Sequence, residues 1–531
     1  MTGRRPGTGR IVAAVLVIIS LMSILAESPM GATSVQSNQD DQLIIVLLSD
    51  VHISQESSMS LLHSLLGQGN VADPLATVSS VVGEIAALHP DMVVVCGDHV
   101  LEARTSHPAD ARAAFQLFNQ SMLPLVLAGI PIYPVLGNHD VAGVLNARVN
   151  SSEAGYGKGA FLDSFRLSRS YYSFDQGGYH FVVLDPNSYE LWNASSGMSR
   201  YRIDGEQMHW LYSDLNSTTM PAIVFLHEPT VDLINGEELL DALQGHDVLM
   251  IFSGHWHIND LISRDAIDEQ VTSALSGSWW TGADLSAEPG GYRIIACNGS
   301  KVTSFYRYAG RDRQINIVEP QQASVNGSLD LRAQIWSGST VRSARVSLDG
   351  QSWLEMNLSA GGLWHEAKRM VDLSGLPQGY HRAEITAQDT EGDFSRSLSF
   401  RISGEESVPV GEISSHLQTY LGRHLAIRGW VDGYRDLSLV DGGVQPVLRD
   451  KTGSIALVLG SCPSLKAEGL TAEESSTTVG NRTLWLVEGQ LQRYILADRY
   501  SILVLRADGP CPVPCASRTA SAIPATFLSY S

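Results

Sequence analysis

The chain has 531 residues, 44% of them hydrophobic and 17% charged, with a formal net charge of −20. That length exceeds what one core supports and fits three domains, and the composition excludes an intrinsically disordered chain. The acidic balance argues against nonspecific binding to nucleic acid or anionic lipid, although an acidic protein can bind phosphate where metal ions supply the positive charge.

Arg4, Arg5 and Arg10 precede an apolar run over residues 11–26, the pattern of a secretory signal. The run is shorter than the roughly 20 residues of a full membrane span. Cleavage after Ala26 or Ala32 and retention as a membrane anchor are both open. Polar residues 28–42 read as a stalk, so 1–42 is signal or anchor plus linker. Asn119, Asn150, Asn193, Asn216, Asn298, Asn326, Asn357 and Asn481 each begin N-x-S/T, about half of all asparagines. Such density fits a glycoprotein surface in an N-glycosylating compartment, which places the chain outside the cell or on its surface.

Over residues 43–310, apolar strands alternate with helical patterns. Helices are predicted at 73–88, 109–127 and 205–215, a hairpin at 171–184 turning on Gly177 and Gly178, and strands at 271–275, 292–297 and 302–306. This is an α/β domain with two sheets or one large mixed sheet. Five buried-strand patterns end in polar residues: LIIVLLSD in Asp50, MVVVCGD in Asp98, YPVLGNHD in Asn138 to Asp140, AIVFLH in His227 and VLMIFSGH in His255. Ligands in α/β folds gather where such strands end. His52 follows Asp50 by two residues and His257 follows His255 by two; on an extended chain such pairs point the same way and reach one metal. Asp98 could give one oxygen to each of two ions, and Asn138 an amide oxygen. Mixed Asp, Asn and His ligation suits two divalent or trivalent ions of Mn, Fe, Zn, Co or Ni rather than a calcium cage.

The order D-x-H, G-D, G-N-H-D, H, G-H-x-H resembles that of calcineurin-like metallophosphoesterases. The segment GEQMHWLYSDL before AIVFLHEP is similar to a helix that often precedes the fourth motif of that family. The resemblance covers residues 43 to about 308 and implies a four-layer α/β/β/α sandwich. It implies that Asp50, His52, Asp98 and His257 hold one metal, and that Asp98, Asn138, His227 and His255 hold the other. His139 would be the catalytic histidine, oriented by Asp140. Two ions about 4 Å apart would clamp a phosphoryl group and generate a hydroxide for in-line attack, while His139 binds phosphoryl oxygens or protonates the leaving group. Relatives with an iron–tyrosinate centre carry tyrosine three residues after the bridging aspartate, where this chain has Leu101. His99 could touch substrate or support a ligand. Trp279 and Trp280 could line a rim or simply pack.

Residues 314–404 alternate strictly, as in LDLRAQIW and SLSFRIS, and imply a β-sandwich of immunoglobulin or fibronectin type. Residues 407–531 resemble an OB-fold, a barrel that often binds oligonucleotides or sugars. Of five cysteines, Cys96 and Cys297 read as buried hydrophobes; one disulfide is expected among Cys462, Cys511 and Cys515. The leading reading is an exported metal-dependent phosphoric ester hydrolase acting on a phosphomonoester or phosphodiester. The alternatives are a cell-surface carbohydrate-binding or adhesion protein, and an extracellular nuclease aided by the third domain. Surface glycans, nucleic acid and a membrane are the corresponding partners.

Overall fold

The computed structural model describes residues 42–54, 74–189, 201–263, 267–277, 288–360, 362–404, 407–436, 444–449, 452, 454–458, 485–496 and 500–507. The predicted signal, Asn193, Asn481, Trp279, Trp280, Cys462, Cys511 and Cys515 lie outside these residues. Among the described residues no helix is long and apolar enough to cross a membrane.

Two mixed sheets form the α/β domain. The first contains β1 (Leu43–Leu48), β2 (Met92–Cys96), β3 (Ile132–Val135), β10 (Gly291–Asn298) and β11 (Lys301–Tyr308), in the order β11-β10-β1-β2-β3. The second contains β4 (Tyr172–Gln176), β5 (Tyr179–Val183), β6 (Ala222–Phe225), β7 (Val248–Ser253), β8 (Asp260–Ile262) and β9 (Glu269–Val271), in the order β4-β5-β6-β7-β9-β8. In the first, β1, β2 and β3 run parallel while β10 and β11 are antiparallel to their neighbours; in the second, β5, β6, β7 and β9 run parallel between antiparallel β4 and β8.

The period of two along each strand sends alternate side chains to opposite faces. Ile45, Leu47, Val94 and Cys96 meet Phe181, Phe225 and Phe252 in a core between the sheets. Val46, Leu48, Val93 and Val95 instead meet Val78, Val81 and Ile85 of α1 (Pro74–Leu88), Phe115 and Phe118 of α2 (Pro108–Leu127) and Phe161 of α3 (Gly159–Phe165). On the far side, Val182 and Val224 pack against Met208 and Leu211 of α4 (Gly205–Leu215) and Leu239 and Leu243 of α5 (Gly236–Gln244). The layers therefore run helix, sheet, sheet, helix. Cys96 and Cys297 are buried free thiols in the central core.

The predicted helices begin within one residue of α1, α2 and α4. Pro108 opens α2 behind His107, whose ring accepts the Ala109 N–H, and Asp204 caps α4 through the Gln207 N–H at 2.8 Å. The strand expected at 271–275 instead ends at Val271. The chain bends there because Leu275 N–H donates to the Ser49 carbonyl at 2.9 Å and Ser276 N–H to that of Asp50.

Beyond the α/β domain, two sheets, antiparallel apart from the short parallel pairing of Ser324–Val325 with Gly392–Ile402, enclose a separate core that includes Leu331, Ile335, Val346, Ile385 and Phe400. One sheet holds Arg313–Glu319, Ser328–Ser337, Asn357–Ala360 and His365–Asp372; the other is built around Ser343–Leu348, Gly379–Asp389 and Gly392–Ile402. Next comes a closed barrel of five strands: His424–Asp436, Val444–Arg449, Ser454–Val458, Trp485–Leu496 and Tyr500–Ala507. The sandwich is not a detached spacer. Its Trp336 and Trp364 join the α/β core, each with its ring centroid 5.7 Å from that of Phe305 on β11.

Candidate metal centre

Asp50, His52, Asp98, His227, His255 and His257 lie in loops leaving strand ends and Asn138 opens a 3-10 turn (Asn138–Asp140) after β3; all are buried except the half-buried His255. The backbone there is not extended. Asp50, His52, Asp98, His255 and His257 have φ values of 50°, 46°, 51°, 67° and 53°, in the left-handed region that costs L-residues roughly 1–2 kcal/mol each. Such strain persists where the surrounding structure imposes it, and it gathers at functional sites. The extended-chain argument therefore applies to neither pair; Asp50 and His52 meet all the same, while the second pair separates. His257 joins Asp50 and His52, whereas His255 joins Asp98 and His227. The local backbone aims the two histidines at different points.

Glycine is required where these loops touch. A Cβ on Gly97, itself at φ 84°, would overlap the His227 imidazole, and one on Gly137 would overlap the Asp98 carboxylate.

Asp98 joins the two clusters. Its Oδ2 lies 3.7 Å from His52 Nε2 and 3.2 Å from His227 Nε2. Its Oδ1 accepts the His139 N–H at 2.8 Å. Oδ2 is therefore the Asp98 oxygen that faces both clusters. Asp50 Oδ1 lies 3.2 Å from His257 Nε2 and accepts no hydrogen bond, while Oδ2 takes Ser49 Oγ at 2.5 Å and the His255 N–H at 3.1 Å.

The donor set fits cations. As placed, Asn138 Oδ1 faces only acceptors: Asp98 Oδ2 at 3.3 Å, His227 Nε2 at 3.3 Å and His255 Nδ1 at 3.1 Å. An oxygen turned into such a ring is stabilised by a positive ion between them. Supporting bonds fix the imidazoles. Nδ1 of His227 donates to the Cys96 carbonyl at 2.7 Å and Nδ1 of His257 to that of Gly277 at 2.6 Å. Each leaves Nε2 with a lone pair toward the cluster, the arrangement of a metal-binding histidine. Burial favours neutral carboxyls, yet the imidazoles of His257 and His227 hold Asp50 well below the usual carboxylate range. His227 does the same to Asp98.

His139 also lies within reach of His52 and Asp98. Both ring nitrogens are engaged, however. Nδ1 donates to the Leu101 carbonyl at 2.6 Å, and Nε2 lies 3.0 Å from Arg104 Nη2. Arg104 was not singled out from the sequence, because a lone arginine six residues past a ligand carries no motif. Glu102 holds it through Nε at 3.0 Å and Nη2 at 2.9 Å.

Asp140 does not orient His139. Its Oδ1 accepts the N–H groups of His99 (2.9 Å) and Val100 (3.3 Å), and its Oδ2 accepts the Gly137 N–H (3.0 Å) and His99 Nδ1 (2.8 Å). One carboxylate thus staples the Asp98 loop to the Asn138 loop. His99 completes the staple, fully buried in a box of Phe115, Phe118, Phe161 and Phe165.

The family described as Calcineurin-like phosphoesterase matches residues 43–259. Residues 43–259 are a calcineurin-like phosphoesterase domain. A second match, described as the C terminal of Calcineurin-like phosphoesterase, spans 269–371, from the end of the α/β domain into the sandwich. The chain is similar to the serine/threonine-protein phosphatase CPPED1 of Mus musculus, at 29% identity over 41% of this chain and 67% of that protein. It is also similar to the probable inactive purple acid phosphatase 14 of Arabidopsis thaliana, at 23% identity over 44% of this chain and 70% of that one. Among solved structures, GAP50, the anchor in the inner membrane complex of Plasmodium, aligns at 14% identity over 51% of this chain and 85% of its own, with a TM-score of 0.33. The chain is a metal-dependent phosphoester hydrolase.

Proposed function

We propose that this chain is an exported dinuclear-metal phosphoesterase in which Asp50, His52, His257 and Asp98 hold one ion and Asp98, Asn138, His227 and His255 the other. The observation that carries it is Asp98 Oδ2, which lies 3.7 Å from His52 Nε2 and 3.2 Å from His227 Nε2 and so faces both ligand clusters. Bound ions of this kind supply Lewis acidity and a nucleophile at neutral pH. The chain's residues position the rest. His139, tied by Nδ1 to the Leu101 carbonyl and by Nε2 to Arg104, lies beside the ligand cluster; a proton on Nε2 would turn that nitrogen from acceptor to donor, toward the phosphoryl group or the leaving oxygen. Asp140 and His99 keep the two ligand loops in register.

Export rests on the apolar run over residues 11–26 behind three arginines. The described sequon residues Asn150, Asn216, Asn298, Asn326 and Asn357 are exposed, which supports glycosylation. Asn119 is a poor acceptor, since it lies inside α2 with its amide donating to the Ser164 carbonyl. The two-sheet sandwich and the five-stranded barrel fit the immunoglobulin-like and OB-like readings. A glycan or nucleic-acid ligand of the barrel, and membrane anchoring, are proposals from sequence alone.

The test is a metal-supplemented screen with p-nitrophenyl phosphate, bis-p-nitrophenyl phosphate and nucleotides beside Asp98→Asn. Hydrolysis by the wild type and loss in the variant is the expected result. No hydrolysis of any ester by metal-loaded protein would favour an adhesion or carbohydrate-binding role.

A further inference from the structure

Resting on that hydrolase reading, we propose that Arg104 binds the phosphoryl oxygens of the substrate and makes the site select phosphomonoesters over phosphodiesters. Its side chain is only 8% exposed. The guanidinium enters the space beside the ligand loops: Nη2 lies 3.0 Å from His139 Nε2 and 3.4 Å from Nδ1, and Nη1 lies 3.2 Å from the Asn138 side-chain nitrogen as placed. A guanidinium only donates. Arg104 thus brings donor groups immediately beside a cluster of carboxylates and imidazoles fit to hold cations. The arginine fork matches phosphoryl oxygens in shape as well as charge.

Glu102 makes the arrangement rigid. Besides its two bonds to the guanidinium, its Oε1 accepts the backbone N–H of Arg104 at 2.9 Å. The side chain is folded over its own loop, and the group meets substrate already ordered. This loop also carries Asp98 and the Leu101 carbonyl that fixes His139, so ligand, histidine and arginine share one scaffold.

Selectivity follows from charge and acceptor count. A phosphomonoester loses its second proton near pH 6 and is close to a dianion at neutral pH. A diester carries one negative charge, and esterification has removed one of the oxygens Arg104 could engage. A guanidinium beyond the two ions therefore stabilises the monoester more.

The experiment uses the full chain loaded with Mn²⁺, as wild type, Arg104→Ala, Arg104→Gln and Arg104→Lys. Metal content, kcat/KM for p-nitrophenyl phosphate and bis-p-nitrophenyl phosphate, and calorimetric binding of inorganic phosphate are measured together. In Arg104→Ala and Arg104→Gln, monoester kcat/KM should fall about 10²-fold or more while diester hydrolysis falls less than about 10-fold, with metal content unchanged. Phosphate affinity should fall in parallel. Lysine should rescue only partly, because it restores charge without the fork. Equal losses for both esters, or unchanged phosphate affinity, would overturn the proposal. A wild type that hydrolyses neither ester yet binds phosphate through Arg104 would refute the hydrolase reading and leave the anion site standing.

Discussion

The Nε2 atoms of His52 and His257 lie 3.1 Å apart, although 205 positions separate the two residues in the chain. Because His257 Nδ1 donates to Gly277, its Nε2 carries a lone pair, and Asp50 Oδ1 lies 3.2 Å from it. Two arrangements satisfy these atoms: an additional proton held among the two imidazoles and Asp50 Oδ1, or a cation in its place. Proton and metal therefore compete, and metal uptake should release protons. The apparent Mn²⁺ affinity of metal-stripped protein should fall as pH drops from 8 to 6, read by titration against a chelator of known pH dependence. A flat affinity across that window would show that these imidazoles are not ligands.

Asp140 makes a different prediction from the one its sequence position suggests. Since it staples Gly137 to His99 and Val100, Asp140→Ala should lower both the melting temperature and metal occupancy. Asp140→Asn should be milder, because an amide oxygen can still accept from His99 and Val100. Full metal content with a loss of turnover matching that of His139→Ala would return Asp140 to the role of orienting that histidine.

For His139, both ring nitrogens are engaged by non-ligand groups, so His139→Ala should keep both ions. If its imidazole protonates the leaving group, turnover of an alkyl phosphate should fall about 10²-fold or more, and less for p-nitrophenyl phosphate, whose phenolate leaves unaided. Equal losses would assign it to stabilising charge on the phosphoryl oxygens. Loss of an ion, seen by elemental analysis, would make it a ligand.

The junction at Phe305 changes what a minimal fragment should be. Hydrophobic periodicity switches near residue 314, which delimits residues 43–310 as a fragment that could fold alone. The structure buries Trp336 and Trp364 in the core of the α/β domain, and deleting a buried tryptophan side chain typically costs about 3–5 kcal/mol. A fragment of residues 43–404 should therefore melt well above one of residues 43–310, and Trp364→Ala should destabilise the longer fragment. Equal melting temperatures would restore the modular reading.

The ligand-bearing strands were legible because a strand buried on both faces must be apolar throughout, which makes the polar residue ending LIIVLLSD or MVVVCGD conspicuous. Helix α3, with seven residues, and α5, with nine, were missed; neither is long enough to establish a 3.6-residue period. The left-handed turns at Asp50, His52, Asp98, His255 and His257 were invisible, since tertiary contacts and not local propensity impose them. Arg104 and the Asp140–His99 staple depend on side-chain contacts across loops about forty residues apart, which no single stretch of sequence reports.

The most direct test of the central claim is metal stoichiometry, measured by elemental analysis alongside hydrolysis of an aryl phosphate ester, in wild type and Asp98→Asn. Asp98 Oδ2 lies between His52 and His227, and an amide there cannot bridge two cations as a carboxylate does. Two ions per wild-type chain, with loss of at least one ion and of activity in Asp98→Asn, is the predicted result. A variant that keeps two ions and full turnover would contradict the dinuclear centre.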